Sequence, residues 1–255
     1  MALSTLERQQ HILQYIERNQ QVSVQMLCDK FGISLATARR DLDVLAERGR
    51  VKRIHGGALV AQDGNTISPA VVRIAEQTDA KSRIGAAAAE MVRDGETIFL
   101  SSGSTVLEVA HHLRNRKRLN VITNSLLVLN VLADAPEASV VSLGGVFNRN
   151  EMSFIGHITQ QALSEVRADK VFMSISALDL QHGLTNVDLQ ETLTDRAILK
   201  IAREVVLLAD HSKIGRAAAA FVAPLSAVHT LITDAGAPAR FIDDAKSANL
   251  RVIVA

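Results

Sequence analysis

The sequence predicts an α/β chain in two parts: a small N-terminal unit of three helices closed by a hairpin, then a larger, mainly parallel sheet flanked by helices. Three observations carry that reading. Capped amphipathic segments fill the first fifty residues, a β-prone pair with a Gly-Gly follows, and from Asp79 onward helical stretches alternate with short apolar runs. A chain of 255 residues is long for one core, so the predicted division is residues 1–60, a linker over 61–78, and a second unit over 79–255.

In the first unit, Ser4 followed by Glu7 reads as a capping box, with Ile12, Leu13 and Ile16 on the buried face of a helix ending near Asn19. Ser23 can cap a second helix through Phe31, with Val24, Leu27 and Phe31 inward and Gly32 supplying the left-handed turn into the third. Ser34 suits the N-cap of that third helix and Gly49 its stop, about four turns later. Leu35, Ala38, Leu42 and Leu45 form its apolar stripe. At roughly 100° per residue Arg40 falls nearly opposite the stripe, with Thr37 beside it and Arg39 on a flank, where it can pair with Asp43 one turn on.

Helix, tight turn, helix is the arrangement in which the second helix enters a DNA major groove, its N-terminal residues at base edges; here those are Ser34, Leu35, Thr37 and Arg40. Arg50-Val51-Lys52-Arg53-Ile54-His55-Gly56-Gly57-Ala58-Leu59-Val60 reads as a hairpin around the Gly-Gly, its cations beside that helix. Residues 1–60 carry nine Lys and Arg against six Asp and Glu, net +3, and the other 195 residues carry net −2. The basic charge is concentrated where phosphates would lie.

Arg8, the Ala36-Thr37-Ala38-Arg39-Arg40-Asp41-Leu42 core and His55-Gly56-Gly57 together resemble the signature of the DeoR family of bacterial transcriptional regulators. The family more often has a β-branched residue where Ala38 stands. The resemblance implies a winged helix-turn-helix and adds Arg39 and the hairpin cations Arg50, Lys52 and Arg53 to Thr37 and Arg40 as DNA contacts, with His55 and Gly56 on the same surface. Helical geometry alone points to Thr37, Arg40, Lys52 and Arg53.

The second unit has β-prone runs at 97–100, 120–123, 139–143, 171–175, 205–209, 228–233 and 251–254, and the ligands of such sheets bind at the carboxyl ends of the strands. Ser101-Ser102-Gly103-Ser104-Thr105 follows the first run and opens a helix, so amides, hydroxyls and the positive helix end can cradle a phosphate. Asn124 and Ser125 follow the second run, Gly144 and Gly145 the third, and Asp210-His211-Ser212-Lys213 brings a cation. The C-terminal module of the family is similar in fold to ribose phosphate isomerase, whose Gly-Ser-Thr phosphate loop Gly103-Ser104-Thr105 matches. By that alignment Ser176 stands at an aspartate and Ala177 at the catalytic base, so proton abstraction lacks its base. The family's usual aspartate at Ser101 is missing too, which leaves Asn186, Asp188 or Glu191 to supply polar contacts to a sugar.

No run of about eighteen apolar residues exists and the chain opens into a polar helix, so a cytoplasmic protein with neither membrane span nor signal peptide is expected. Cys28 is the only cysteine and reads as a half-buried structural thiol. His111 and His112 adjoin, yet helix neighbours do not face one ligand, and no metal or cofactor is expected. The expected protein is a repressor of carbohydrate utilisation that binds double-stranded operator DNA, answers to a phosphorylated sugar, and forms a homodimer or larger even homo-oligomer, since one reader covers few base pairs. The rivals are a sugar-phosphate enzyme with a DNA-binding appendage, and a DNA-binding protein whose second unit serves only to oligomerise.

Overall fold

The computed structural model describes residues 5–19, 21–47, 51–60 and 69–255. The chain divides into two compact units, residues 1–66 and 67–255.

In the first unit α1 (Thr5–Asn19) is followed by β1 (Gln21–Ser23), α2 (Val24–Phe31), α3 (Leu35–Glu47), β2 (Val51–Ile54) and β3 (Gly57–Val60). Ile12, Ile16, Val24, Leu27, Ala38, Leu42 and Leu45 close one core between the helices. Ser23 Oγ accepts from the Met26 amide at 3.1 Å and starts α2; Gly32, at φ +63°, ends it, its amide donating to the Cys28 carbonyl at 2.9 Å. Cys28 is half-buried, as expected.

Three expectations need correction here. Leu35 is 50% exposed although Ala38, Leu42 and Leu45 of the same stripe are buried, and the polar Asp41 beside Leu42 is buried at 2%. Asp41 accepts from Arg8 Nε at 2.7 Å and from Gln9 at 3.0 Å, so the Arg8 and Asp41 of the family-like signature hold α1 to α3. Asp43 pairs with Arg53 Nε at 3.0 Å rather than with Arg39. The hairpin turns at His55-Gly56, one residue earlier than the Gly-Gly reading, since Ile54 pairs with Gly57. Gly57 instead allows a third strand: a Cβ there would lie 2.1 Å from the Val22 carbonyl oxygen of β1, which pairs with β3. The Ser4 cap, the Gly49 stop and Arg50 lie outside the described residues.

The second unit runs α4 (Ala70–Arg73), α5 (Thr78–Glu90), β4 (Thr97–Leu100), α6 (Ser104–Leu113), β5 (Leu119–Thr123), α7 (Leu126–Leu132), β6 (Ala138–Ser142), β7 (Val146–Asn148), β8 (Ser153–Ile155), α8 (His157–Glu165), β9 (Ala168–Ser174), β10 (Ala177–Asp179), β11 (Gly183–Asn186), α9 (Leu189–Ile201), β12 (Ala202–Leu208), β13 (Ala220–Ala223), β14 (Thr230–Thr233), α10 (Ala239–Ser247) and β15 (Arg251–Val254). Seven strands form one parallel sheet in the order β15-β14-β12-β9-β4-β5-β6, and they are the seven apolar runs of the sequence. Alternation splits each strand between two cores. Ile98 and Leu100 meet α5, α6 and α7 on one face, while Phe99 meets the cluster containing α8, α9 and α10 on the other. The hairpin β7–β8 and the antiparallel sheet β10-β11-β13 were not anticipated. Their runs are three or four residues long, too short to show a period.

Of the stretch read as linker, residues 61–68 lie outside the described residues, but residues 69–78 belong to the second unit. The Ala70 amide donates to the Asn150 carbonyl at 2.6 Å, Ala70 is fully buried, and Arg73 pairs with Glu151. Pro69 and Ser68 read as loop residues because a single four-residue helix carries too little pattern to register.

The Arg8–Asp41 contact generates a stability prediction. Arg8→Ala leaves a buried carboxylate with Gln9 alone, so the first unit should lose about 2–3 kcal/mol. Urea unfolding followed by circular dichroism should show an earlier first transition and an unmoved second one. Equal midpoints for variant and wild type would contradict the structural role of this pair.

Candidate functional site

The first unit presents α3 and the hairpin to solvent. Ser34 Oγ accepts from the Thr37 amide at 3.2 Å and lies 2.9 Å from Thr37 Oγ1, so Ser34 is occupied in starting α3. Leu35, Arg39 and Arg40 are exposed and Thr37 is half-buried. Lys52, His55 and Gly56 are exposed on the hairpin. Arg53 has a different position: besides Asp43, its guanidinium reaches the Gly57 carbonyl at 3.1 Å, which fastens the hairpin to α3. Its contribution is to hold the two basic elements together.

The second unit's site is set by chain topology. After β4 the chain builds β5 and β6 on one side, then crosses to β9 on the other, so the strand order switches between β4 and β9. At such a switch the loops leaving two adjacent strands diverge and open a crevice at their carboxyl ends. Ser101 to Thr105 leave β4 there, and Ser174 ends β9. The two approach closely: a Cβ on Gly103 would lie 2.1 Å from Ser174 Oγ, and Gly103 has φ +116°, a conformation that side chains rarely adopt. Ser174 Oγ donates to the Ser102 carbonyl at 3.3 Å. Ser101, Ser102, Ser104 and Thr105 are buried around it.

Glu191, in the first turn of α9, completes this crevice. Its carboxylate accepts from Ser102 Oγ at 3.0 Å, from Ser153 Oγ at 3.0 Å and from Asn148 Nδ2 at 3.0 Å. Burial pushes its pKa up, Glu151 adds to the rise, and the Asn148, Ser102 and Ser153 hydrogen bonds oppose it. Asp195, one turn further along α9 and buried, has its pKa raised well above the ordinary aspartate value by burial, with the nearby Glu191 charge adding. Asn186 donates to Asp195 and accepts from the Ser176 amide at 3.1 Å, so it is engaged in holding the β9–β10 loop. Asp188 caps α9, accepting from the Gln190 amide at 2.8 Å. Ala177, the position of the isomerase base by resemblance, is a buried alanine opening β10.

The other expected loops divide. Asn124 is buried, donating to the Phe154 carbonyl at 3.1 Å, with its Oδ1 unpartnered. Ser125 is occupied in capping α7, accepting from Val128 at 3.3 Å. Gly144 is open, whereas Gly145 lets the loop close on α8, where a Cβ would lie 2.1 Å from Thr159 Oγ1. Lys213, after β12, is half-buried, and burial followed by the Arg73 charge lowers its pKa. Arg73 and Lys81 were missed. Lys81, 4% exposed, donates to the Glu76 carbonyl at 2.5 Å and also to the Arg73 carbonyl, and burial pushes its pKa down to about 8. The Arg73 charge lowers the pKa of both Lys81 and Lys213, and Lys213 adds to the lowering at Lys81, while Glu151 links Arg73 and Lys213 to Glu191. No periodic pattern marks a lysine whose burial depends on a neighbouring helix. Among the described residues no three His, Cys, Asp or Glu cluster to hold a metal ion, and no helix is long and apolar enough to cross a membrane.

Residues 8–63 match the model of the DeoR-like helix-turn-helix domain, and residues 76–235 that of the DeoR C terminal sensor domain. The chain is 36% identical over 91% of its length to the glycerol-3-phosphate regulon repressor of Escherichia coli K12, covering 92% of that protein. It is 32% identical over 89% of its length to the HTH-type transcriptional regulator IolR of Bacillus subtilis, covering 90% of it. Among solved structures, ribose 5-phosphate isomerase A of Methanocaldococcus jannaschii matches 55% of each chain at 23% identity and a TM-score of 0.39.

The depressed lysines generate a pH prediction. Lys81 is charged below about 8 and neutral above it, and a bound anion would favour the charged form. Affinity for sulfate, which keeps one charge state throughout, read by thermal shift, should therefore hold between pH 6.5 and 7.5 and fall as pH rises through 8 to 9.5. An affinity rising over that interval would remove the lysines from the anion site.

Proposed function

The chain belongs to the DeoR family of transcriptional regulators, and from that premise we propose that it represses a carbohydrate-utilisation operon and is released or retained by a phosphorylated sugar or polyol. It is a DNA-binding regulator and not an enzyme. The carrying observation for the effector is the crevice at the β4–β9 switch, where a glycine cradle opening α6 stands beside a buried, hydroxyl-bound carboxylate.

The division of labour follows from chemistry. Amides at the start of α6, with Ser104 and Thr105, suit a phosphate, and Lys213 adds a point charge from a neighbouring loop. Glu191 accepts from three side-chain donors; a sugar or glycerol hydroxyl can take the place of Ser102 or Asn148 as donor. The effector class is thus a small phosphomonoester with at least one free hydroxyl, consistent with a relative that represses a glycerol-3-phosphate regulon. At the other end, Leu35, Thr37 and Arg40 would meet base edges, and Arg39, Lys52 and His55 the phosphates. Two such readers on a twofold axis would cover two half-sites, in the cytoplasm where both ligands are found.

Two predictions test the two halves. Arg40→Ala should lose about 1–3 kcal/mol of operator discrimination while non-specific binding changes little. Lys52→Ala should weaken both and reduce the salt slope by about one. Footprinting with salt titration decides between them, and an Arg40→Ala protein with wild-type operator affinity would remove that residue from the base contacts.

Ser104→Asp places a carboxylate at the start of α6, where it favours the helix and repels a phosphate. The variant should bind operator like wild type yet lose any shift in operator affinity with glycerol 3-phosphate or another phosphorylated polyol. It is a cleaner test than Gly103→Val, which would strain the loop against Ser174. Retention of a full response would place the effector elsewhere.

A further inference from the structure

Helix α9 carries different chemistry on opposite faces. Inward, Glu191 and Asp195 face the effector crevice. Outward, Leu189 is 71% exposed and Leu193, one turn on, 54%. Scattered surface leucines need no explanation, but these two lie in line with a groove on the same helix. The groove, about 330 Å³, runs between the C-terminal half of α9 and the end of α8, lined by Leu163, Arg167, Ala197, Lys200 and Ile201 with Gln160 and Ser164. Its floor is apolar, its two charges are both positive, and no carboxylate lines it.

The helix therefore has two apolar knobs and an exposed acid, Asp188, at one end, and an apolar hole with two cations at the other. Leu189 and Leu193 are spaced one turn apart, about 6 Å along the axis, and so are Ala197 and Ile201. Turning a second copy antiparallel about a twofold axis near Asp195 lays its Leu193 over Ala197, its Leu189 over Ile201, and its Asp188 beside Lys200 and Arg167. The same contacts recur in reverse, as an isologous interface requires.

We propose that the outer face of α9 with the α8–α9 groove is the surface on which a second copy of this chain docks, leucines into groove and acid onto cations. This deepens the proposed oligomeric reading by giving its location, and it rests on that reading only for its purpose. α9 then joins the effector crevice on its inner face to the subunit contact on its outer face, so the two sites share one rigid element.

Sedimentation equilibrium of the full chain, without DNA or metabolite, tests the surface independently of the effector and operator assignments. Wild type should associate at least to a dimer, and Leu193→Asp should weaken association by at least about tenfold, because each interface loses two buried leucines and gains two desolvated charges. Lys200→Glu, on an exposed residue whose change should not disturb folding, should weaken association several-fold, more at low salt than at high salt. If Leu193→Asp fails to fold, this variant decides. Val141→Asp, on the exposed edge strand β6, should associate like wild type. The proposal is overturned by a monomeric wild type, by unaltered association of both α9 variants, or by dissociation on Val141→Asp alone.

Discussion

The approach of Gly103 to Ser174 is the constraint on which the sensor unit's chemistry depends. Two neighbouring parallel strands end side by side, and their outgoing loops must separate at once. Only a residue without a side chain can sit against Ser174 Oγ with the φ needed to start α6 there. That contact fixes where α6 begins and leaves the Ser102 hydroxyl beside α9, donating to Glu191. Glu191 then finds three donors in a buried place, without which its burial would be too costly to sustain as a carboxylate.

The reader unit applies the same economy to its charges. Asp41 is buried on α3 and is tolerated because Arg8 and Gln9 reach it from α1. Arg53 ties the hairpin to Asp43 and to the Gly57 carbonyl. Two of the cations that make the first sixty residues basic therefore serve mainly to assemble the unit, while Arg39, Arg40 and Lys52 stay exposed on its outside. A net charge measures the field around a surface but does not say which cations reach a phosphate.

Buried polarity also explains why the segment before the sheet belongs to the sensor unit. Lys81 satisfies the Arg73 and Glu76 carbonyls at the end of α4, and Arg73 pairs with Glu151 in the β7–β8 turn. Arg73, Lys81 and Lys213 thus bring together positive charge from a short helix, a long helix and a loop after β12. Removing Glu151 would leave the buried Arg73 without its carboxylate partner.

Much was legible in the sequence because it is local. Caps such as Ser23 and Gly32 act within a few residues, and the sheet strands are apolar runs, the central ones buried on both faces as their own composition requires. Gly103-Ser104-Thr105 could be read as an anion loop for the same reason, whereas Glu191 enters only through the family resemblance, with Asn186 and Asp188, in place of the missing aspartates. Strand order, the side of β4 on which β9 lies, the Arg8–Asp41 pairing across thirty-three positions, and the recruitment of Arg73 and Lys81 could not. Those depend on which distant groups meet once the chain is closed, and a sequence records each partner without recording the meeting. Leu35 shows the limit most plainly. Its helical phase allowed the core, yet in the packed unit Leu35 is left exposed, while Asp41, a residue the apolar stripe did not include, is buried against Arg8 and Gln9 of α1.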